Sequence, residues 1–147
     1  MSNLKPIQVG LLGIGTVGSG VFHVLKRNQG EIQRRAGRGI EVTMVADLDT
    51  ARAQSIVGPS VKVVNDAKAV IANPDIDIVI ELIGGYGVAR QLVMDATGAG
   101  KHVVTANKAL LAVHGTEIFE AAHKRGVMST RSAMTALAVG SLPAPLP

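Results

Sequence analysis

Ile7-Gln8-Val9-Gly10-Leu11-Leu12-Gly13-Ile14-Gly15-Thr16-Val17-Gly18 is the stretch whose reading decides the fold. A short apolar run with no room for a helix meets three glycines spaced as G-x-G-x-x-G. Val17, Val21, Val24 and Leu25 then recur at helical intervals. The stretch reads as strand, tight turn, helix. Each glycine serves a separate purpose. Gly13 permits the sharp turn, Gly15 puts no side chain between the backbone and a diphosphate, and Gly18 lets the helix lie close on the strand. The unpaired N–H groups and positive dipole end of the helix starting near Thr16 would seat that diphosphate. Such a glycine string also occurs in ordinary loops. Its place after a strand and before an amphipathic helix is what points to dinucleotide binding.

Outward from this stretch, composition sets the bounds. The chain has 147 residues, enough for one domain with a real core and too few for two full domains. No uncharged apolar run reaches the roughly 18 to 20 residues of a membrane span, so a soluble chain is expected. Lys5 and Pro6 lead directly into the first strand, and no cleavable leader is expected. The absence of cysteine excludes disulfides, thiol catalysis and zinc–thiolate sites, and makes a reducing cytoplasm the expected compartment. A net charge of +4 comes largely from Lys26, Arg27, Arg34, Arg35 and Arg38. Tyr86, Phe22 and Phe119 are the only aromatic residues, too few for a base-stacking platform, so nucleic-acid binding is not expected and the basic run reads as a solvated helix end and loop.

Along the chain, Thr16 to about Asn28 forms the first helix, and Gly30 to Gly39 either extends it or connects it to the second strand. Ile40 to Ala46 reads as strand two, Thr50 to Ile56 as a short helix, and Val61 to Val64 as strand three. Asp66 caps a helix over Ala67 to Ala72, stopped by Asn73-Pro74. Asp77 to Ile83 is a near-continuous apolar strand of the kind covered on both faces. Val88 to Ala96 is helical, His102 to Thr105 is strand five, and Leu110 to Lys124 is the last helix. This alternation implies an α/β fold, a doubly wound parallel sheet of Rossmann-like type with strand order 3-2-1-4-5. From Ser129 onward the sequence is small, Ala-rich and proline-punctuated; Val127 to Thr130 is a candidate edge strand and the rest is expected to lie loosely. The expected organisation is a dinucleotide-binding domain over residues 1–128 and an atypical tail over 129–147.

A ligand of such a sheet lies beyond the carboxyl ends of the strands, which brings forward Asp47, Ile83 to Gly85, and Thr105 to Lys108. Asp47 either accepts hydrogen bonds from the adenosine ribose, favouring NAD over NADP, or organises a turn and cap with Asp49. Gly84 and Gly85 either admit a cofactor close to the backbone or simply turn the chain. Lys108 either holds the nicotinamide ribose, or binds a substrate oxygen and transfers a proton, or is an exposed lysine at a helix start. His23, His102, His114 and His123 show no metal-ligand spacing and no evident carboxylate partner, and no metal is expected. No Gly-x-Ser-x-Gly and no phosphate-loop Gly-Lys-Ser/Thr is present, which leaves hydrolase and triphosphatase readings without support.

Three blocks in order carry a resemblance: Val9 to Gly18, Glu81-Leu82-Ile83-Gly84-Gly85, and Gly100-Lys101-His102-Val103-Val104-Thr105-Ala106-Asn107-Lys108-Ala109-Leu110-Leu111. Over about residues 5 to 128 the chain resembles the N-terminal, NAD(P)-binding half of the homoserine dehydrogenases. The last block is far more specific than the glycine motif. The resemblance implies reversible reduction of L-aspartate 4-semialdehyde to L-homoserine with NADP or NAD, on the route to threonine and methionine, in a homo-oligomer when full-length. It implies cofactor contacts from Gly13, Gly15, Thr16, Val17 and Gly18, beside the candidates Asp47, Ile83 and Gly84 that the strand ends bring forward, and places Lys108 at the junction of cofactor and substrate. Many members carry an arginine near the end of strand two that supports NADP; Ala46 stands there here.

Beyond Val127 the family continues with a glutamate-containing, glycine-rich segment and a catalytic and dimerisation domain. The expectation is a truncation or reading-frame change near Met128 and a chain with little or no turnover by itself. Two rival readings remain: a non-catalytic NAD(P)-binding module or remnant, and another two-domain dehydrogenase of the sugar-oxidoreductase type. The latter resembles Glu-Lys-Pro where this chain has Ala106-Asn107-Lys108-Ala109.

Overall fold

A computed structural model describes residues 6–36, 39–83, 87–105 and 108–126. Its elements run β1 (Ile7–Leu12), α1 (Thr16–Arg27), α2 (Gln29–Ala36), β2 (Ile40–Ala46), α3 (Thr50–Val57), β3 (Lys62–Val64), α4 (Ala67–Ala72), β4 (Ile78–Glu81), α5 (Gly87–Gly98), β5 (His102–Thr105) and α6 (Lys108–Arg125). The five strands form one parallel sheet in the order β3-β2-β1-β4-β5, as the alternation of elements predicts.

Both faces of the sheet are covered, and strand periodicity assigns residues to them. Val9 and Leu11 of β1 pack with Phe22 of α1, Ala53 and Val57 of α3, and Ile78 and Ile80 of β4. Leu12 and Val79 face the other way, against Val70 of α4, Leu92 and Val93 of α5, and Leu110 and Ile118 of α6. Successive residues therefore serve opposite layers, which is why β4 is buried at every position and reads as apolar up to its last residue, Glu81. Gly10 lets α4 approach β1, since a Cβ there would collide with Val70 Cγ1. Among the described residues no helix is long and apolar enough to cross a membrane.

The segment left open between extension and connection is a separate helix, α2. The Asn28 N–H bonds Val24 O at 3.1 Å and closes α1. Gln29 then bonds both the N–H and the C=O of Ile40, pinning α2 to the first residue of β2. β4 is shorter than expected, because the Ile83 N–H is taken by the Glu81 side chain rather than by a neighbouring strand. At the opposite end of β4 and β5, the buried Lys101 ammonium donates to Asn73 O at 2.6 Å and Ile76 O at 2.7 Å. Burial lowers its pKa, against the opposing influence of Asp77 and Asp75. The candidate edge strand over Val127 to Thr130 and the tail over 129–147 lie outside the described residues.

Candidate cofactor site at the glycine loop

β1 and β4 are neighbours in the sheet, and the connection that leaves β1 runs to β2 on one side whereas the one that leaves β4 runs to β5 on the other. In such a sheet the crevice opens at the carboxyl ends of these two central strands. The ladder continues just past β1: Gly13 N–H donates to Ala46 O at 2.8 Å, and Leu82 N–H donates to Leu12 O at 2.9 Å. The chain then turns at Gly13 with φ +93°, a left-handed conformation that a Cβ would strain. That Cβ would also lie 3.4 Å from Ile83 Cγ1 and from the Leu82 carbonyl, so the glycine loop and the segment after β4 adjoin.

The other two glycines differ from Gly13 in what surrounds them. Nothing lies within 4 Å of a Cβ built on Gly15, so its backbone faces open space. A Cβ on Gly18 would meet Gly13 O at 2.6 Å, which is the close approach of helix to loop that the motif predicts. Gly15 is the N-cap of α1 and caps it with no side-chain bond, and no acidic residue stands in the first turn, whereas Lys26 and Arg27 complement the dipole at the far end. The N-terminal N–H groups and their positive potential are left facing the opening over Gly15. A diphosphate fits such a cradle.

Ile14 is the anchor of the loop. Its side chain is fully buried, its N–H donates to Asp47 Oδ2 at 2.9 Å, and its C=O accepts from both terminal nitrogens of Arg52, at 3.0 and 2.8 Å. Asp47 Oδ1 accepts the Asp49 N–H at 2.9 Å, and Asp49 in turn caps α3 through the Arg52 N–H at 3.1 Å. Asp47 thus organises the turn after β2, one of its two anticipated roles. Each of its oxygens keeps lone-pair capacity for a ribose hydroxyl.

On the other side of the crevice stands Glu81, the last residue of β4 and fully buried. Its Oε1 accepts the Ile83 N–H at 2.9 Å, and its Oε2 accepts the Thr105 hydroxyl at 2.5 Å. Thr105 ends β5 and is Glu81's register partner. Ile83 is exposed, and Lys108 opens α6 just beyond β5, on the same rim of the sheet as Gly15. Thr16 is exposed at the first position of α1, and Val17 follows it in that turn. Gly84 lies outside the described residues, as do the side chains of Val17 and Lys108.

Sequence reasoning gives neither Arg52 nor Glu81 a role at the site. Arg52 reaches a carbonyl 38 positions away, for which no local signal exists. Glu81 does carry a signal, because a lone carboxylate ending an apolar strand covered on both faces must find buried donors. The histidine reading needs one correction: His114 has a carboxylate partner, with Nδ1 3.4 Å from Glu117 Oε2 at i,i+3 helical spacing. Glu117 also binds Arg90, through Nε at 3.1 Å and a second guanidinium nitrogen; the Arg90 hydrogen bond holds its carboxyl below the usual range. Among the described residues no acidic, histidine or cysteine cluster could hold a metal. A cavity of about 460 Å³ between α1, α2 and β2, lined by Phe22, Leu25, Gln29, Thr43 and Val61, involves none of the cofactor candidates.

Residues 13–129 match the family described as "Homoserine dehydrogenase, NAD binding domain". The chain is similar to a homoserine dehydrogenase of Methylobacillus glycogenes, 61% identical over 109 residues that are 74% of this chain and 26% of that protein. It is similar also to one of Pseudomonas aeruginosa, 50% identical over 146 residues that are 95% of this chain and 31% of that protein. Among solved structures, a homoserine dehydrogenase from Thiobacillus denitrificans superposes with a TM-score of 0.82 at 52% identity, covering 88% of this chain and 30% of that one. The chain therefore spans less than a third of the length of each of these relatives.

Proposed function

Because the chain belongs to the homoserine dehydrogenase family, as its NAD-binding domain, we propose that it is the cofactor-holding part of an oxidoreductase that interconverts L-homoserine and L-aspartate 4-semialdehyde with NADP or NAD. The observation that carries this reading is the uncapped N-terminus of α1 beneath the open side of Gly15, on the rim where α6 begins with Lys108.

In this reading Gly13, Gly15, Thr16, Val17 and Gly18 surround the diphosphate, which the N–H groups of the first turn bind as an anion. Asp47 receives the adenosine ribose with its remaining lone pairs, while its bonds to Ile14 and Asp49 keep the loop in shape. Ile83 and Gly84 flank the nicotinamide half. When bound, the cofactor supplies the hydride acceptor or donor. Lys108 lies beside it and donates a hydrogen bond to the ribose or to the substrate oxygen, where a compact ammonium can also hand over a proton. Residues 1–128 form the binding unit, and residues 129–147 add nothing to it. The stretch by itself turns over little or nothing, since orientation of the substrate supplies much of the rate and a single lysine, Lys108, does not fix that orientation.

Calorimetric titration of the purified chain with NAD and with NADP, alongside an assay of homoserine oxidation, tests the reading. Saturable binding of at least one dinucleotide without turnover is expected. Absence of binding to both would overturn it, and measurable oxidation would overturn the claim that this stretch is inactive alone.

A further inference from the structure

Glu81 is a buried ionisable side chain at the rim of the crevice to which neither the motif nor the family reading assigns a role. Its position is unusual in physical terms. Glu81 and Thr105 occupy the last register positions of β4 and β5, so their side chains stand side by side on one face of the sheet. Beyond them the chain takes two routes, through Ile83 toward α5 after β4 and toward Lys108 and α6 after β5. The carboxylate bridges that divergence, with one oxygen on the Ile83 N–H and the other on the Thr105 hydroxyl. An apolar side chain would fill the same buried space without the cost of desolvating a carboxylate, so packing alone does not account for a glutamate here.

We propose that Glu81 is a positioning residue, tying the segment after β4 to the end of β5 so that the nicotinamide half of the cofactor and the start of α6 keep a set separation. The inference rests on the cofactor reading above. It assigns Glu81 and Thr105 chiefly to the nicotinamide half, because the diphosphate cradle has hydrogen-bonded anchors of its own in Ile14, Asp47 and Arg52 on the far side of β1.

The test compares two ligands that differ by the nicotinamide ring: the dinucleotide the chain binds more tightly, NAD or NADP, and its counterpart without that ring, ADP-ribose or 2′-phospho-ADP-ribose. Affinities and melting midpoints are measured for the 147-residue chain and for Glu81→Ala, Glu81→Gln and Thr105→Val. Glu81→Ala is expected to weaken dinucleotide binding at least tenfold and to change the ring-less ligand less than about twofold. In Glu81→Gln the amide oxygen can still accept from Ile83 and the amide nitrogen can donate to Thr105 Oγ1, so most of the affinity returns. Thr105→Val, which removes a hydroxyl at nearly constant volume, shows the same selective loss and carries the test should the alanine variant not fold; the double variant adds little to either single change. Equal losses for both ligands, unchanged dinucleotide affinity in Glu81→Ala, or a wild-type chain that binds both ligands equally well overturns the inference. A wild-type chain that binds neither ligand overturns the cofactor reading instead, so the two failures are distinguishable.

Discussion

Gly13, Gly15 and Gly18 share a residue type and a motif, yet an added methyl group meets a different obstacle at each. At Gly13 the obstacle is the backbone conformation itself, φ +93°, so Gly13→Ala should cost about 1–3 kcal/mol of stability. At Gly18 it is a main-chain oxygen 2.6 Å away, which cannot rotate aside, and a loss of about 1–3 kcal/mol is expected from overpacking. Gly15 has neither, so Gly15→Ala should stay within about 1 kcal/mol of wild type, the range for an N-cap exchange, while weakening dinucleotide binding at least tenfold. Urea denaturation paired with calorimetry separates the three; an equal loss of stability at all of them would show that the open space over Gly15 is not there. His102 supplies a pH prediction. It is buried at the start of β5, and desolvation lowers its pKa against the opposing influence of Asp77. The unfolded chain therefore binds this proton more readily, and the stability His102 leaves intact above pH about 6.5 is lost as pH falls from there toward its lower native value. The urea midpoint should drop between pH 7 and pH 5, and His102→Gln should reduce that drop.

At the scale of elements, short helices depend on their ends. α4 has six residues, and its first turn is held by Asp66, whose side chain accepts the Lys68 N–H at 2.9 Å. Asp66→Ala should lower stability by about 1 kcal/mol and leave cofactor affinity within about twofold, because Asp66 stands at the outer strand β3 with its side chain engaged by Lys68, to one side of the crevice between β1 and β4. Denaturation and titration of the same variant check both halves of that statement. α3 has a corresponding cap in Asp49, and its Arg52 also grips the glycine loop. Arg52→Ala is therefore expected to cost affinity for the ring-less and the complete cofactor alike, at least threefold for each. That pattern is the opposite of the one expected for Glu81, and similar affinities in wild type and Arg52→Ala would contradict it.

At the scale of the molecule, two layers of helices over one parallel sheet leave a single rim where strand ends, glycine loop and the start of α6 converge. Ending the chain after residue 128 is expected to leave the dinucleotide dissociation constant within about twofold; a larger loss would move the edge of the binding unit into the last 19 residues. Much of this architecture is legible in the sequence, for identifiable reasons. The strand boundaries of β2 and β5 coincide with expectation because each is a dense apolar or β-branched run with a clear stop, Asp47 after one and a lysine-bearing helix start after the other. α2 is not legible, since its polar sequence has no apolar stripe to announce it and its anchor is the long-range bond from Gln29 to Ile40.

Local residue chemistry by itself determined the α/β class, the order of the strands and the glycine turn, because periodicity, glycine spacing and capping aspartates act between near neighbours in the chain. The same chemistry left Asp47 with two roles, Glu81 with none and Arg52 unnoticed. Only the tertiary structure supplied their partners, by bringing Ile14 between Asp47 and Arg52 and setting Glu81 beside Thr105. The physical reason is that a buried polar group must find a partner wherever the fold supplies one, and these partners stand 24 to 38 positions away.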